Sequence, residues 1–336
     1  MEKGILKNLS KFNNIKLAKG VNIELYVTDD RKCGTRSIGI SSETYGDKWF
    51  FTPKGKAIFK TYDSDYGKEL RNIRMVNELL CKKLCDQIGL DCAEYELAFI
   101  QGQNGLLTYD ISEKKKLLSL EEFMHIKKNA PINLFEVASV IDKYAQKGYI
   151  IDKKEVIKGL YKTILFDTLT LQTDRNVGNI NFLYNSKTKT FSLAKLIDNE
   201  FAFCGEFFIN EDDNKRVCKY DMNDILNDYS YTAKIFTFND SYCANSRRFF
   251  NNVEYLVLYA KRYPTFNKLL KETLENINPE KAFSELEKSK IEINKEYKEF
   301  VCRLIYETKS IILKQKNKKV EKGELDDLEN ICQLQL

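Results

Sequence analysis

From residue 115 onward the sequence is patterned for helices, with one interruption. Residues 174–203 read as loop, strand, turn, strand, loop, with Asn181-Phe-Leu-Tyr and Thr190-Phe-Ser-Leu-Ala flanking an Asn-Ser-Lys-Thr-Lys turn. Around this island, Leu134 to Lys147, Lys153 to Thr170, Val253 to Lys261, Thr265 to Leu274 and Lys290 to Lys316 carry helical periodicity. The first third has the opposite character. Val21-Asn-Ile-Glu-Leu-Tyr-Val alternates, Trp49-Phe-Phe-Thr and Ala57-Ile-Phe-Lys-Thr-Tyr read as strands around a Pro53-Lys-Gly-Lys turn, and strand character returns over 92–111. Between them Leu70, Ile73, Val76, Leu80, Leu84 and Ile88 recur at helical spacing, with Gly89 as a stop. The pattern is an α+β chain: strands, one helix, strands, then helices broken by a hairpin.

Composition removes whole classes of chemistry. The 336 residues contain one histidine, His125, in the charged stretch Phe123-Met-His-Ile-Lys-Lys. Ser-His-Asp and Cys-His catalysis and His-rich metal sites are therefore set aside, and His125 reads as a surface residue. The nine cysteines are odd in number and lack a CxxC pair, which fits reduced thiols. Cys81 and Cys85 fall on one helix face and read as small buried hydrophobes. Net charge is +5, but cations and anions are well mixed, and only ten of the 54 cations are arginine. That argues against base readout, so no direct nucleic-acid binding is expected. No apolar run approaches 18 residues and the N-terminus has no apolar core of signal-peptide length, so a cytoplasmic protein without a membrane span is expected. Export by another route stays compatible with that expectation.

The island carries the chemistry. It reads Thr173-Asp-Arg-Asn-Val-Gly-Asn-Ile-Asn, then Leu193-Ala-Lys-Leu-Ile-Asp-Asn-Glu. Asp174 and Asn179 sit five apart on one loop, and Asp198 ends an apolar strand after the hairpin. An amide oxygen and a carboxylate so placed can form an oxygen cage for Mg²⁺, leaving Asp174 to accept a proton from an attacking hydroxyl. Each of these residues alone also suits an ordinary loop; it is their order that points to a kinase. The first third should then supply the nucleotide half. Ala57-Ile-Phe-Lys60 matches V-A-I-K in kind, Glu78 on the next helix is its candidate partner, and Lys54 and Lys56 at the turn are rivals. Glu78 lies off the Ile73, Val76, Leu80, Leu84 stripe and need not be buried. The Ser41 to Lys48 loop could cover phosphates with backbone N–H groups, Ser42, Thr44 and Lys48. It has no GxGxxG, and a plain surface hairpin is the other reading.

These residues resemble the HipA-like kinases, which include the HipA toxin kinases and the shorter CtkA-type serine/threonine kinases. The family pattern runs Lys, (S/N)E, (T/F)DRHxxN, LxPxxD; here it is Lys60, Asn77-Glu78, Thr173-Asp-Arg-Asn-Val-Gly-Asn179 and Leu193-Ala-Lys-Leu-Ile-Asp198. The resemblance spans roughly residues 40–203. It implies a two-lobed protein-kinase-like fold with ATP between the lobes: a small β-rich lobe at 1–112 with one main helix, a larger helical lobe at 113–320, and a polar tail at 321–336. It implies that Lys60 binds the α/β-phosphates, Glu78 orients Lys60, Asp174 is the base, Asn179 and Asp198 hold Mg²⁺, and Tyr109 and Asp110 lie near the adenine hinge. It also implies a protein substrate phosphorylated on Ser or Thr, autophosphorylation, and an antitoxin or other regulatory partner. Asn176 stands where the family has His, and Lys195 where it has Pro. The island is also similar to that of phosphatidylinositol kinases, in which Asp198-Asn-Glu-Phe-Ala-Phe has a counterpart. A lipid or small-molecule kinase, or an ATP-binding pseudokinase acting as a binding partner, are the alternatives.

Overall fold

The computed structural model describes residues 4–5, 24–27, 49–52, 55–61, 67–100, 103–126, 134–172, 175, 178–203, 248–288, 291 and 293–317. The chain divides into two units. The first gathers the elements up to Glu113, the segment starting at Ile197, and Asn278–Cys302. The second holds Lys114–Leu196, the helices between Tyr220 and Ile277, and the residues from Arg303.

The first unit contains strands β1 (Gly4–Ile5), β2 (Glu24–Val27), β3 (Trp49–Thr52), β4 (Gly55–Thr61), β5 (Tyr95–Ile100) and β6 (Gln103–Tyr109), and helix α1 (Gly67–Ile88). The sheet runs β1-β2-β3-β4-β6-β5, and each neighbouring pair is antiparallel. β4 pairs with β3 over Gly55–Ile58 and with β6 over Ala57–Thr61, where Lys60 stands opposite Leu106, so the lysine backbone is fixed by the β6 ladder. A Cβ at Gly105, on β6, would meet the Lys60 carbonyl and the Phe59 ring; only a glycine lets these strands approach so closely. α1 ends as its sequence predicts. Gly89 takes φ 62° and Leu90 N–H donates back to the Cys85 carbonyl at 2.9 Å, a Schellman closure.

α1 is not amphipathic through its middle. Met75 to Cys81 are all buried, Asn77 and Glu78 included, which corrects the expectation that Glu78 could stand clear of the core. Helix α7 (Pro279–Lys288) lies against α1, and Gln87 exchanges two hydrogen bonds with the Asn278 backbone. α7 was not expected from the sequence. Asn278 and Asn294 cap α7 and α8 (Lys295–Asn317), and α8 is the helix expected at Lys290 to Lys316.

The second unit has β7 (Lys116–Ser119), β8 (Ile150–Ile151), β9 (Asn181–Asn185) and β10 (Thr190–Leu193) in the order β7-β9-β10-β8, with β8 parallel to β10. The hairpin expected at 174–203 is β9–β10. β7, β8 and the short helix α2 (Leu120–Met124) were not foreseen; α2 opens with a Ser119–Glu122 capping box. α3 (Leu134–Gln146), α4 (Lys153–Leu169), α5 (Arg248–Arg262) and α6 (Pro264–Asn276) complete the unit with the end of α8. Phe123 stacks on Phe182 at 4.0 Å, and Tyr161 on Phe266 at 4.4 Å, in its core. His125 is exposed at the end of α2, as expected. Among the described residues no helix is long and apolar enough to cross a membrane.

Candidate active site

Lys60 leaves the centre of the first sheet and is only 7 % exposed. Its ammonium meets three carboxylates: Asp198 Oδ1 at 2.8 Å, Glu200 Oε2 at 3.3 Å and Glu78 Oε1 at 3.6 Å. Lys56, the rival on the same strand, is exposed. Glu78 is 1 % exposed, and its other oxygen accepts from the Asn199 N–H at 2.8 Å. The sequence thus brings Lys60, Glu78 and Asp198 together from β4, α1 and the segment after β10. Glu200 was missed, although it stands two residues beyond Asp198 in Asp198-Asn-Glu.

One ammonium cannot neutralise three carboxylates. The imbalance shows in their protonation. Burial pushes Glu78 up to about 7; Lys60 opposes the rise, and the negative charges of Asp198 and Glu200 add to it. Burial also raises Glu200, against the pull of Lys60 and Arg74. Arg74 lies one helical turn before Glu78 and stacks over the Phe201 ring at 4.5 Å. The segment itself is bent sharply, with Asp198 at φ 61° and Phe203 at φ 63°.

The other candidates are placed as follows. Tyr109 and Asp110 end β6. The Tyr109 hydroxyl donates to Glu96 at 2.7 Å, the Asp110 carboxylate accepts from Ser112 N–H at 2.8 Å, and the Asp110 N–H donates to the Lys56 carbonyl at 2.9 Å. Asn179 is buried just before β9 in the second unit. Beside it in sequence, Arg175 is buried against Asp167 of α4, with Nε 3.0 Å from Oδ2 and Nη2 3.1 Å from Oδ1. Burial raises the Asp167 pKa and Arg175 opposes it. Asp174, Ser42, Thr44 and Lys48 lie outside the described residues, as do Asn176 and the polar stretch Glu206 to Asn227. Among the described residues no group of three or more His, Cys, Asp and Glu is arranged to hold a metal ion.

A lysine in a central strand, a glutamate on the helix behind it and an aspartate after a hairpin form the kind of ion-pair cluster that kinases carry. Residues 66–253, more than half of the chain, match the HipA-like kinase family, and the chain belongs to it; it is a kinase-type phosphotransferase. Its fold is similar to that of the Helicobacter pylori proinflammatory kinase CtkA, with TM-score 0.62 and 17 % identity over 87 % of this chain and 95 % of that one. A second similar structure is HipA of Shewanella oneidensis MR-1, solved with HipB and its operator DNA, with TM-score 0.49 and 10 % identity over 79 % of this chain and 61 % of that one. Among curated proteins none matches this sequence.

Proposed function

We propose that this chain uses ATP and Mg²⁺ to phosphorylate serine or threonine in a protein, its own chain included. The observation that carries the reading is the Lys60 cluster. A buried ammonium held by Glu78 is the group that takes up phosphate charge, and its charge is strongest where water is excluded. The carboxylate excess around it fits a divalent cation, because added positive charge would offset the mutual repulsion that adds to burial in raising Glu78 and Glu200. Asp198 would hold the metal, with Asn179 as the amide ligand named by the motif; when bound, Mg²⁺ shields phosphate oxygens. Lys60 orients the phosphates and Glu78 keeps Lys60 extended. Asp174, placed by the motif, accepts the proton of the attacking hydroxyl.

The test is incubation of the purified chain with γ-labelled ATP and Mg²⁺, beside Asp198→Ala, with a generic Ser/Thr-rich protein and phosphoinositide vesicles in separate reactions. Label on protein from the wild type, and at least a hundredfold less from Asp198→Ala, is the expected result. Label on the lipid alone would make the acceptor a lipid. ATP raising the melting temperature with no transfer at all would make the chain a nucleotide-binding pseudokinase.

A further inference from the structure

Tyr297 belongs to no motif and lies beyond the residues matched to the family. It sits in the first turn of α8, 2 % exposed, and its hydroxyl donates to Oδ1 of Asn77. Asn77, the residue before Glu78, is fully buried. Its amide nitrogen donates to the Glu200 carbonyl at 2.7 Å and to the Ala202 carbonyl at 2.8 Å. An asparagine side chain offers two hydrogens and one carbonyl oxygen, and here all are used. The orientation is also unique: a flipped amide would set its oxygen against two carbonyl oxygens.

These bonds grip the segment that carries Asp198. On one side Asn199 N–H is held by Glu78, and on the other Glu200 and Ala202 are held by Asn77. Asp198 lies at the head of the clamped segment in a left-handed conformation, which an aspartate enters more readily than most side chains but at a cost that fixed neighbours offset. Returning to the ordinary backbone basin would swing the carboxylate off Lys60.

We propose that Tyr297 is a positioning residue for phosphotransfer: through Asn77 it locks the backbone after Asp198 and so keeps the Asp198 carboxylate at Lys60. The proposal rests on the kinase reading above and takes Tyr297 as a part of the site supplied from outside the motif region. Without the hydroxyl, Asn77 Oδ1 is left buried and unpaired, and the amide no longer has a fixed anchor.

Tyr297→Phe keeps the ring and removes only the donor. With the full chain, kcat and kcat/KM for ATP should fall together by about tenfold, with KM unchanged, because the loss is one buried hydrogen bond acting on the reacting geometry. Hydrogen exchange at the Asn199, Glu200 and Ala202 amides should quicken by about tenfold, while β9 and β10 keep their protection. A kcat within twofold of wild type overturns the proposal. So does faster exchange throughout β9 and β10, which would mean a general loss of stability. If the wild type transfers no phosphate, the kinase reading fails by itself, and the exchange measurement alone decides whether Tyr297 holds the segment: unchanged rates at 199–202 overturn it.

Discussion

Glu78→Gln should make the protein more stable at neutral pH while disabling it. In the folded chain burial lifts the Glu78 carboxyl from 4.5 to about 7. A group whose folded pKa lies above its unfolded one binds more protons when folded, so stability falls as pH rises from about 4.5 to about 7. The full change is worth about 3 kcal/mol, since each tenfold step in proton affinity is about 1.4 kcal/mol. Glutamine is a near copy of the protonated acid. Its oxygen can still accept from Asn199 N–H, and it removes one of the three negative charges crowding Lys60. The two proteins should therefore be nearly equal at pH 4.5. The variant should be ahead by about 3 kcal/mol at pH 8. Urea unfolding followed by circular dichroism at a series of pH values, without nucleotide or metal, reads the difference. A constant difference across that range, or a variant less stable than wild type at pH 8, would refute the reasoning. Phosphotransfer should drop at least a hundredfold in the same variant, because a neutral amide does not hold the Lys60 ammonium as a carboxylate does.

Lys60→Met leaves Glu78, Asp198 and Glu200 buried without their shared cation; activity should vanish, and stability should fall by about 3–5 kcal/mol at pH 8 but less at pH 5, where the carboxyls protonate, as urea unfolding would show. Asp167→Asn removes the carboxylate that faces the buried Arg175 guanidinium and should cost about 3–5 kcal/mol; a loss below about 1 kcal/mol in thermal unfolding would mean that the charge balance of Arg175 does not rest on Asp167.

The sequence shows some of this site and hides the rest for physical reasons. Lys60 is legible because a lysine ending an apolar strand, Ala57-Ile-Phe, stands against its surroundings. Asp198 is legible because it follows an apolar run after a hairpin signal, although the strand itself stops at Leu193. The burial of Glu78 was not, since a helix wheel shows one apolar stripe, whereas Met75 to Cys81, in the middle of α1, are buried all round the helix. Glu200 sits one residue past Asn199, and nothing local distinguishes it from an ordinary loop carboxylate until Lys60 is found 3.3 Å away. Tyr297 has no local signal at all: its partner Asn77 is 220 residues earlier in the chain. β8, two residues long, exists only because β10 lies beside it; no alternation can be read from a pair of isoleucines.

The first unit is assembled from three separated stretches of chain, and this dictates when it can be finished. A ribosome delivers β4, β6 and α1 early, but Asp198 and Glu200 come only after the hairpin of the second unit, and Tyr297 close to Cys302. At ~5–20 residues per second, the interval between Glu113 and Cys302 is roughly 10–40 s. For the first ~4–18 s of it, until Ala202 is made, Asn77 and Glu78 have neither the carbonyls nor the amide that satisfy them, and α1 lacks α7 along its side for longer still. The nascent chain therefore carries Lys60 and Glu78 without Asp198 and Glu200. The Lys60 cluster and the Asn77 bonds behind it become whole only once Tyr297 has been made.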